Sequence, residues 1–335
     1  MEQLINQVHN RDWLHNGLPD KSAQLIIADP PYFEVKGEFD FIWPTFDAYL
    51  ADVDMWAKEC LRVLKDNGSL FWWGHSKKIA YSQVILDRYF SLINNITWKK
   101  VDCQTNKNEV EMLRSFAPVT ERLLFYDKGE DKSGNEMIHA APELFREIKV
   151  YLDEEFEKTG LTLSDMCKQF GSVCSHYFGF STRDKTQFHF PTAEMFAKLQ
   201  TTGYFNRSHD GLRAEYDNLR GEYETLRAKY EELRRPFKLY EMQNDVFEFS
   251  QESHITKNYE HDTKKPESLT RLLIQATTNP GDLVVVPFAG SGTECAMAAK
   301  EGRRFVGYDI DAKHCKTSQS RANIHLSQPA LFYVA

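Results

Sequence analysis

The chain is poor in cysteine, and none of its cysteines is spaced like a ligand pair. Cys60, Cys103, Cys167, Cys174, Cys295 and Cys315 are scattered over 335 residues. That spacing argues against a disulfide framework and against zinc, so no metal is expected, and a reducing cytoplasm is the natural setting. Long apolar runs are missing as well. The chain opens on the polar Met1-Glu2-Gln3 with no apolar stretch behind it, so neither a secretory signal nor a membrane span is expected. Positive charge is not in excess, since the formal net charge is −8. This argues against a protein that coats nucleic acid, but not against a local basic face, because the field near a cleft follows distribution rather than sum. Hydrophobic residues at 41% and charged residues at 27% are ordinary for a globular chain. The length suffices for one large domain or two smaller ones.

What is present begins with Leu25-Ile26-Ile27-Ala28-Asp29-Pro30-Pro31-Tyr32, a short buried strand running into an acid, two prolines and an aromatic. The prolines fix φ and carry no N–H, which holds Asp29 and Tyr32 extended and leaves carbonyls free. A carboxylate, backbone acceptors and a ring within four residues suit the grip of an exocyclic amino group on a flat ring. The loop behind carries Phe39, Phe41 and Trp43, which either stack on such a ligand or pack the loop down. Helical spacing predicts a helix over 47–64. Strands follow at 69–74, 93–98 and 122–126, with a further helix over 77–89. This alternation predicts an α/β domain with a largely parallel sheet. Lys99, Lys100, Lys107 and Arg114, on and after a strand end, are candidates for phosphate contacts.

Composition shifts near Gly129, where a polar, turn-rich stretch predicts a boundary. Helices are expected at 143–158, at 163–170 behind a Thr162 cap, at 173–178 behind Ser172, and at 193–200. Over 143–208 this layout resembles a helix-turn-helix module, in which Ser172, Ser175, His176 and Tyr177 would face the major groove. A plain helical substrate or dimerisation domain is the competing reading. Then comes a heptad pattern over 210–235. Leu212, Leu219, Leu226 and Leu233 recur every seven residues, as do Tyr216, Tyr223 and Tyr230, and an arginine follows each leucine. Such a helix would run roughly 35–40 Å. Its seam either packs on the chain's own domain or pairs two subunits.

A second strand-to-loop transition lies at Val284-Val285-Val286-Pro287-Phe288-Ala289-Gly290-Ser291-Gly292-Thr293. No Gly-Lys-Ser/Thr follows, so it is not a phosphate-binding P-loop. Glycines at such a turn let backbone approach a ligand, and Asp309, at the end of the next strand, is placed to hold ribose hydroxyls. The Asp-Pro-Pro-Tyr corner, the later Phe-x-Gly-x-Gly loop and a variable region between them resemble the β-group DNA amino-methyltransferases. Ile96-Thr97-Trp98-Lys99, Glu121 before Leu123-Leu124-Phe125-Tyr126, and His261-Asp262-Thr263-Lys264-Lys265-Pro266 fit the same pattern.

The resemblance covers about 1–128 and 261–325. It implies a Rossmann-like methyltransferase sheet of seven strands with one reversed, and S-adenosyl-L-methionine as cofactor. It divides the chain into a catalytic half over 1–129, a mainly helical target-recognition insert over 130–260, and a cofactor half over 261–335. It implies double-stranded DNA as partner and base flipping as the mode of access. Asp-Pro-Pro-Tyr, rather than Ser-Pro-Pro-Tyr, favours adenine N6 over cytosine N4. The implied catalytic residues are Asp29, Pro30, Pro31 and Tyr32, with Phe39 or Trp43 as a second wall for the base. On the cofactor side stand Asp29, Phe288, Gly290, Ser291, Gly292 and Asp309, with Thr263 or Lys265 near the methionine carboxylate. Two positions depart from the pattern: Val286 stands where the family carries Asp, and Thr120 where it carries His. The rival readings are an N4-cytosine enzyme, a methyltransferase acting on RNA or on a protein glutamine, and a catalytically silent DNA-binding regulator.

Overall fold

The computed structural model describes residues 1–35, 40–101, 116, 118–129, 144–172, 177, 189–250 and 264–327. They fall into two units, Met1–Asp131 with Arg235–Ala335, and Lys132–Arg234.

The first unit is built on eight strands: β1 (Gln7–Asn10), β2 (Ala23–Ala28), β3 (Leu64–Gly74), β4 (Ser91–Lys100), β5 (Thr120–Asp127), β6 (Val246–Phe249), β7 (Leu283–Val286) and β8 (Arg304–Asp309). Their order is β1-β8-β7-β2-β3-β5-β4-β6. All run parallel except β5, which is antiparallel to both neighbours. The expectation of one reversed strand matches, but the sheet has eight strands rather than seven. β2 is buried throughout because helices cover both faces of the sheet, and its side chains alternate between the two layers from Leu25 on, after an irregularity that follows Ala23. Ala23, Ile26 and Ala28 enter one core layer, with α1 (Phe46–Val63) and α2 (Ile79–Leu86). Leu25 and Ile27 enter the other, with α7 (Glu267–Thr277) and α8 (Thr293–Lys300). A last helix, α9 (Ala312–Leu326), adds Ala322 to that layer.

Three differences from the sequence reading have local causes. β1 lies at one edge of the sheet and is too short and polar to show a strand period. β6 pairs with β4 at the other edge, so residues 235–250 belong to the sheet unit and the expected return at 261 is too late. β3 starts before Asn67-Gly68 rather than after it. Its register jumps from Ala23↔Leu64 to Leu25↔Ser69, so the Asn-Gly pair sits in a bulge inside the strand.

The second unit holds α3 (Arg146–Lys158), α4 (Leu163–Phe170), α5 (Ala193–Gln200) and α6 (His209–Leu233) around a core that includes Ile148, Leu152, Met166, Phe196 and Leu199. Thr162 and Asp165 form the expected cap reciprocally. On α6, Leu212 and Tyr216 are buried in that core while Leu226 is exposed, so the start of the seam packs on its own unit. Among the described residues no helix is long and apolar enough to cross a membrane.

Candidate active site

β2 delivers Asp29 to the carboxyl edge of the sheet, beside the end of β7. That is where open parallel sheets place ligands. The prolines hold the next turn extended, with Pro30 buried and Tyr32 half-buried. Asp40, almost fully buried, fastens the loop: its Oδ1 accepts the Tyr32 N–H at 2.6 Å and its carbonyl accepts the Glu34 N–H at 2.8 Å.

Both Asp29 oxygens are engaged. Tyr32 Oη donates to Oδ1 at 2.6 Å, and Lys265 Nζ donates to Oδ2 at 2.6 Å. Lys265 also lies 3.4 Å from Glu121 Oε2, and Glu121 Oε1 lies 2.6 Å from Lys100 Nζ. The charges therefore alternate along Lys100, Glu121, Lys265 and Asp29. Two indoles, Trp73 and Trp98, lie against this row with centroids 5.9 Å apart. Lys265 Nζ is 4.9 Å from the Trp73 centroid and Lys100 Nζ is 5.0 Å from that of Trp98. At such distances the ring quadrupoles favour the ammonium form.

Burial alone would lower the Lys265 pKa, but Asp29 and Glu121 outweigh it and hold the ammonium above the ordinary lysine value. Burial would raise Glu121, but Lys265 and Lys100 bring it below the ordinary glutamate value. The Tyr32 phenol is pushed well up, by burial first and then by Asp29 and Glu121, so it stays protonated and donates. The resemblance points to Thr263 or Lys265 near the cofactor carboxylate; of these, Lys265 lies on Asp29, where two acids draw it to the corner.

The loop after β7 is tied from several sides. Gly290 N–H donates to Asp309 Oδ2 at 2.8 Å, and Ala289 N–H to the Tyr308 carbonyl at 2.7 Å. Ser318 Oγ donates to the Gly290 carbonyl at 3.0 Å, and Arg321 Nη1 to the Ser291 carbonyl at 2.6 Å. Gly292 adopts φ +75°, and a Cβ there would lie 2.5 Å from Ser318 Cα. The close approach of α9 thus by itself requires a glycine here. Asp309 accepts Gly290 N–H on one oxygen and Asp311 N–H, at 2.9 Å, on the other. A carboxylate has about four acceptor positions, so hydroxyl groups can still be taken. Phe288 meets Trp56 of α1 edge-on at 5.0 Å. Tied glycine backbone, a strand-end acid with spare acceptors and a neighbouring acid corner fit a nucleoside cofactor carrying positive charge.

Several expected residues fall elsewhere. Trp43 is no second wall: its Nε1 donates to Asp52 at 2.7 Å and its ring meets Tyr49 and Trp56, which packs the loop on α1. Lys100 is drawn into the charge row, and Lys99 pairs with Glu248 at 2.7 Å, so neither is an uncommitted phosphate contact. Tyr177 is buried in the core of the helical unit and cannot face a groove, whereas Ser172 is exposed. Phe39, Lys107, Arg114, Ser175, His176 and Thr263 lie outside the described residues. Sequence reasoning missed Asp40, Glu121 and Glu294 as members of the site. Glu121 alone had a signal, its place just before the apolar run of β5.

The fold and this site define a class. The DNA methylase family profile, which spans N6 and N4 enzymes, matches residues 23–320, and the chain belongs to that family. Type II methyltransferase M1.MboII of Moraxella bovis is 25% identical over 337 residues, covering 97% of each chain. DNA adenine methyltransferase YhdJ of Escherichia coli (strain K12) is 38% identical over 85 residues, 25% of this chain and 29% of YhdJ. The crystal structure of the M1.HpyAVI–SAM complex shares the fold, with a TM-score of 0.52 at 15% identity, covering 95% of this chain and 98% of that one.

Proposed function

We propose that the chain transfers a methyl group from S-adenosyl-L-methionine to N6 of a flipped adenine in double-stranded DNA. The observation that carries this reading is Asp29, held by Lys265 and Tyr32 at the strand end beside the glycine loop. Family membership supports DNA as substrate, and the Asp-Pro-Pro-Tyr corner and the resemblance to YhdJ support adenine.

An adenine inside a duplex is out of reach, so the base must leave the stack. Asp29 Oδ1, which now accepts the Tyr32 phenol, would accept one N6 hydrogen, and the Pro30 carbonyl the other. Tyr32 would release its hydrogen bond and lay its ring against the base. Lys265, facing Oδ2, keeps the carboxylate in place throughout. The cofactor supplies an electrophilic methyl carbon on a sulfonium. The corner's task is to aim the nitrogen lone pair and take up the positive charge that develops on N6 before a proton leaves to water. Such positioning and local charge supply most of the acceleration in reactions of this type. On the cofactor side, Asp309 would hold the ribose hydroxyls, with Phe288, Gly290, Ser291 and Gly292 shaping the pocket. In this reading the helical unit supplies target recognition.

The test is methyl transfer to duplex oligonucleotides followed by nucleoside analysis. N6-methyladenine is the expected product, and N4-methylcytosine would move the acceptor to cytosine. Asp29→Ala should lower the rate more than about 100-fold, in line with loss of a charge-stabilising group. Undiminished transfer by that variant would overturn the assignment of Asp29.

A further inference from the structure

Glu294 is the second residue of α8, directly behind the glycine loop, and only 6% of it is exposed. Beyond its own backbone N–H, its carboxylate has no hydrogen-bond or ion-pair partner among the described residues. Buried carboxylates are ordinarily paired. The charged and titratable groups that act on it come from three elements besides its own. They are Asp29 after β2, Lys265 ahead of α7, Arg321 on α9, and the neighbouring Cys295.

Both of those cations are already committed. Lys265 is shared by Asp29 and Glu121, and Arg321 donates to Glu267 at 2.8 Å as well as to Ser291 and Thr293. β7 brings no acid of its own to the loop, because it ends in the buried Val286. Burial, seconded by Asp29 and opposed by Lys265 and Arg321, pushes Glu294 up to about 7. An acid whose neighbouring cations are both paired elsewhere thus stands where the reading above puts a cofactor bearing an ammonium and a sulfonium.

We propose that Glu294 receives the cationic end of the cofactor, its ammonium or its sulfonium. This rests on the methyltransferase reading. Binding that requires the ionised carboxylate must strengthen with pH up to the point where the free group has lost its proton.

The test is titration calorimetry of the whole chain with S-adenosylmethionine at pH 5.5, 6 and 7, each in two buffers of unlike ionisation enthalpy. At pH 5.5 and 6 the cofactor's own α-amino group, ordinarily titrating at about 7.7–8.0, stays protonated, and at pH 7 it is mostly so. The wild-type chain should release about 0.9 proton at pH 6 and about 0.5 at pH 7, and bind about 15-fold tighter at pH 7 than at pH 5.5. Glu294→Gln should abolish both effects and bind more weakly at pH 7. S-adenosylhomocysteine keeps the ammonium and lacks the sulfonium. Proton release with both ligands assigns the ammonium, and release with S-adenosylmethionine alone assigns the sulfonium. Tight binding with no proton release at pH 6 overturns the role of Glu294 without recourse to any variant, and leaves the methyltransferase reading standing. Absence of binding by either ligand overturns that reading and this inference with it.

Discussion

β2 and β7 lie side by side and parallel, end at the same edge, and finish in opposite ways. β2 ends in an acid whose two oxygens are both engaged within 2.6 Å, by a buried ammonium and a phenol. β7 ends in a valine, and its loop is held by backbone hydrogen bonds to Asp309 and by α9, with Glu294 set back at the helix start. One end is electrostatically complete, so whatever enters must displace a hydrogen bond. The other is mechanically complete but electrically unfinished, so a ligand there can add charge without displacing any partner. A transfer site needs both kinds of end: one to exchange contacts with the acceptor, one to take up a cofactor.

Breaking the complete end should cost the most. Lys265→Met leaves Asp29 and Glu121 facing each other without their shared ammonium. It should lower unfolding stability by about 3–5 kcal/mol at neutral pH, read by urea denaturation. A loss under about 1 kcal/mol would mean the row of charges is held by something else.

Repairing the unfinished end should do the reverse. Glu294 holds its proton in the folded chain up to about 7, against an ordinary 4.5. The folded state therefore binds more protons between those limits, and the stability this group provides is full below 4.5 and lost as pH rises through 7. Glu294→Gln removes that loss and should stabilise the ligand-free chain at pH 8 by up to about 3 kcal/mol, with little effect at pH 4.5. Thermal melts at the two pH values check it, and equal shifts at both would refute the linkage.

Gly292→Ala tests the mechanical side. It places a Cβ against Ser318 in a left-handed backbone and should cost about 2 kcal/mol, read by the same melts. Weakened cofactor binding should accompany it, because the loop and α9 must move apart.

The central strands were legible because burial on both faces leaves unbroken apolar runs, as in Leu25-Ile26-Ile27 and Val284-Val285-Val286. The long helix was legible from its heptad. β1 and β6 were not, since an edge strand is held by one neighbour and needs no apolar period of its own. Asp29, Tyr32 and Asp309 could be named because their motifs are local. The destination of Lys265 could not, because it is fixed by two acids from β2 and β5, 236 and 144 residues away in the chain, that only the sheet order brings together. Tyr177 misled because a helix of unknown rotation does not declare which residues face its own core.

Arg235 lies 3.5 Å from Asp127, so the chain re-enters the sheet unit beside the strand that precedes the helical unit. Everything over 132–234 is thereby a closed loop whose two ends are already clasped. With the ends clasped, its length weighs little on the sheet, since doubling a loop adds only about 0.6 kcal/mol of closure entropy. That pair works as a hinge pin for length: the segment between Asp127 and Arg235 can grow or shrink at little entropic cost to the sheet.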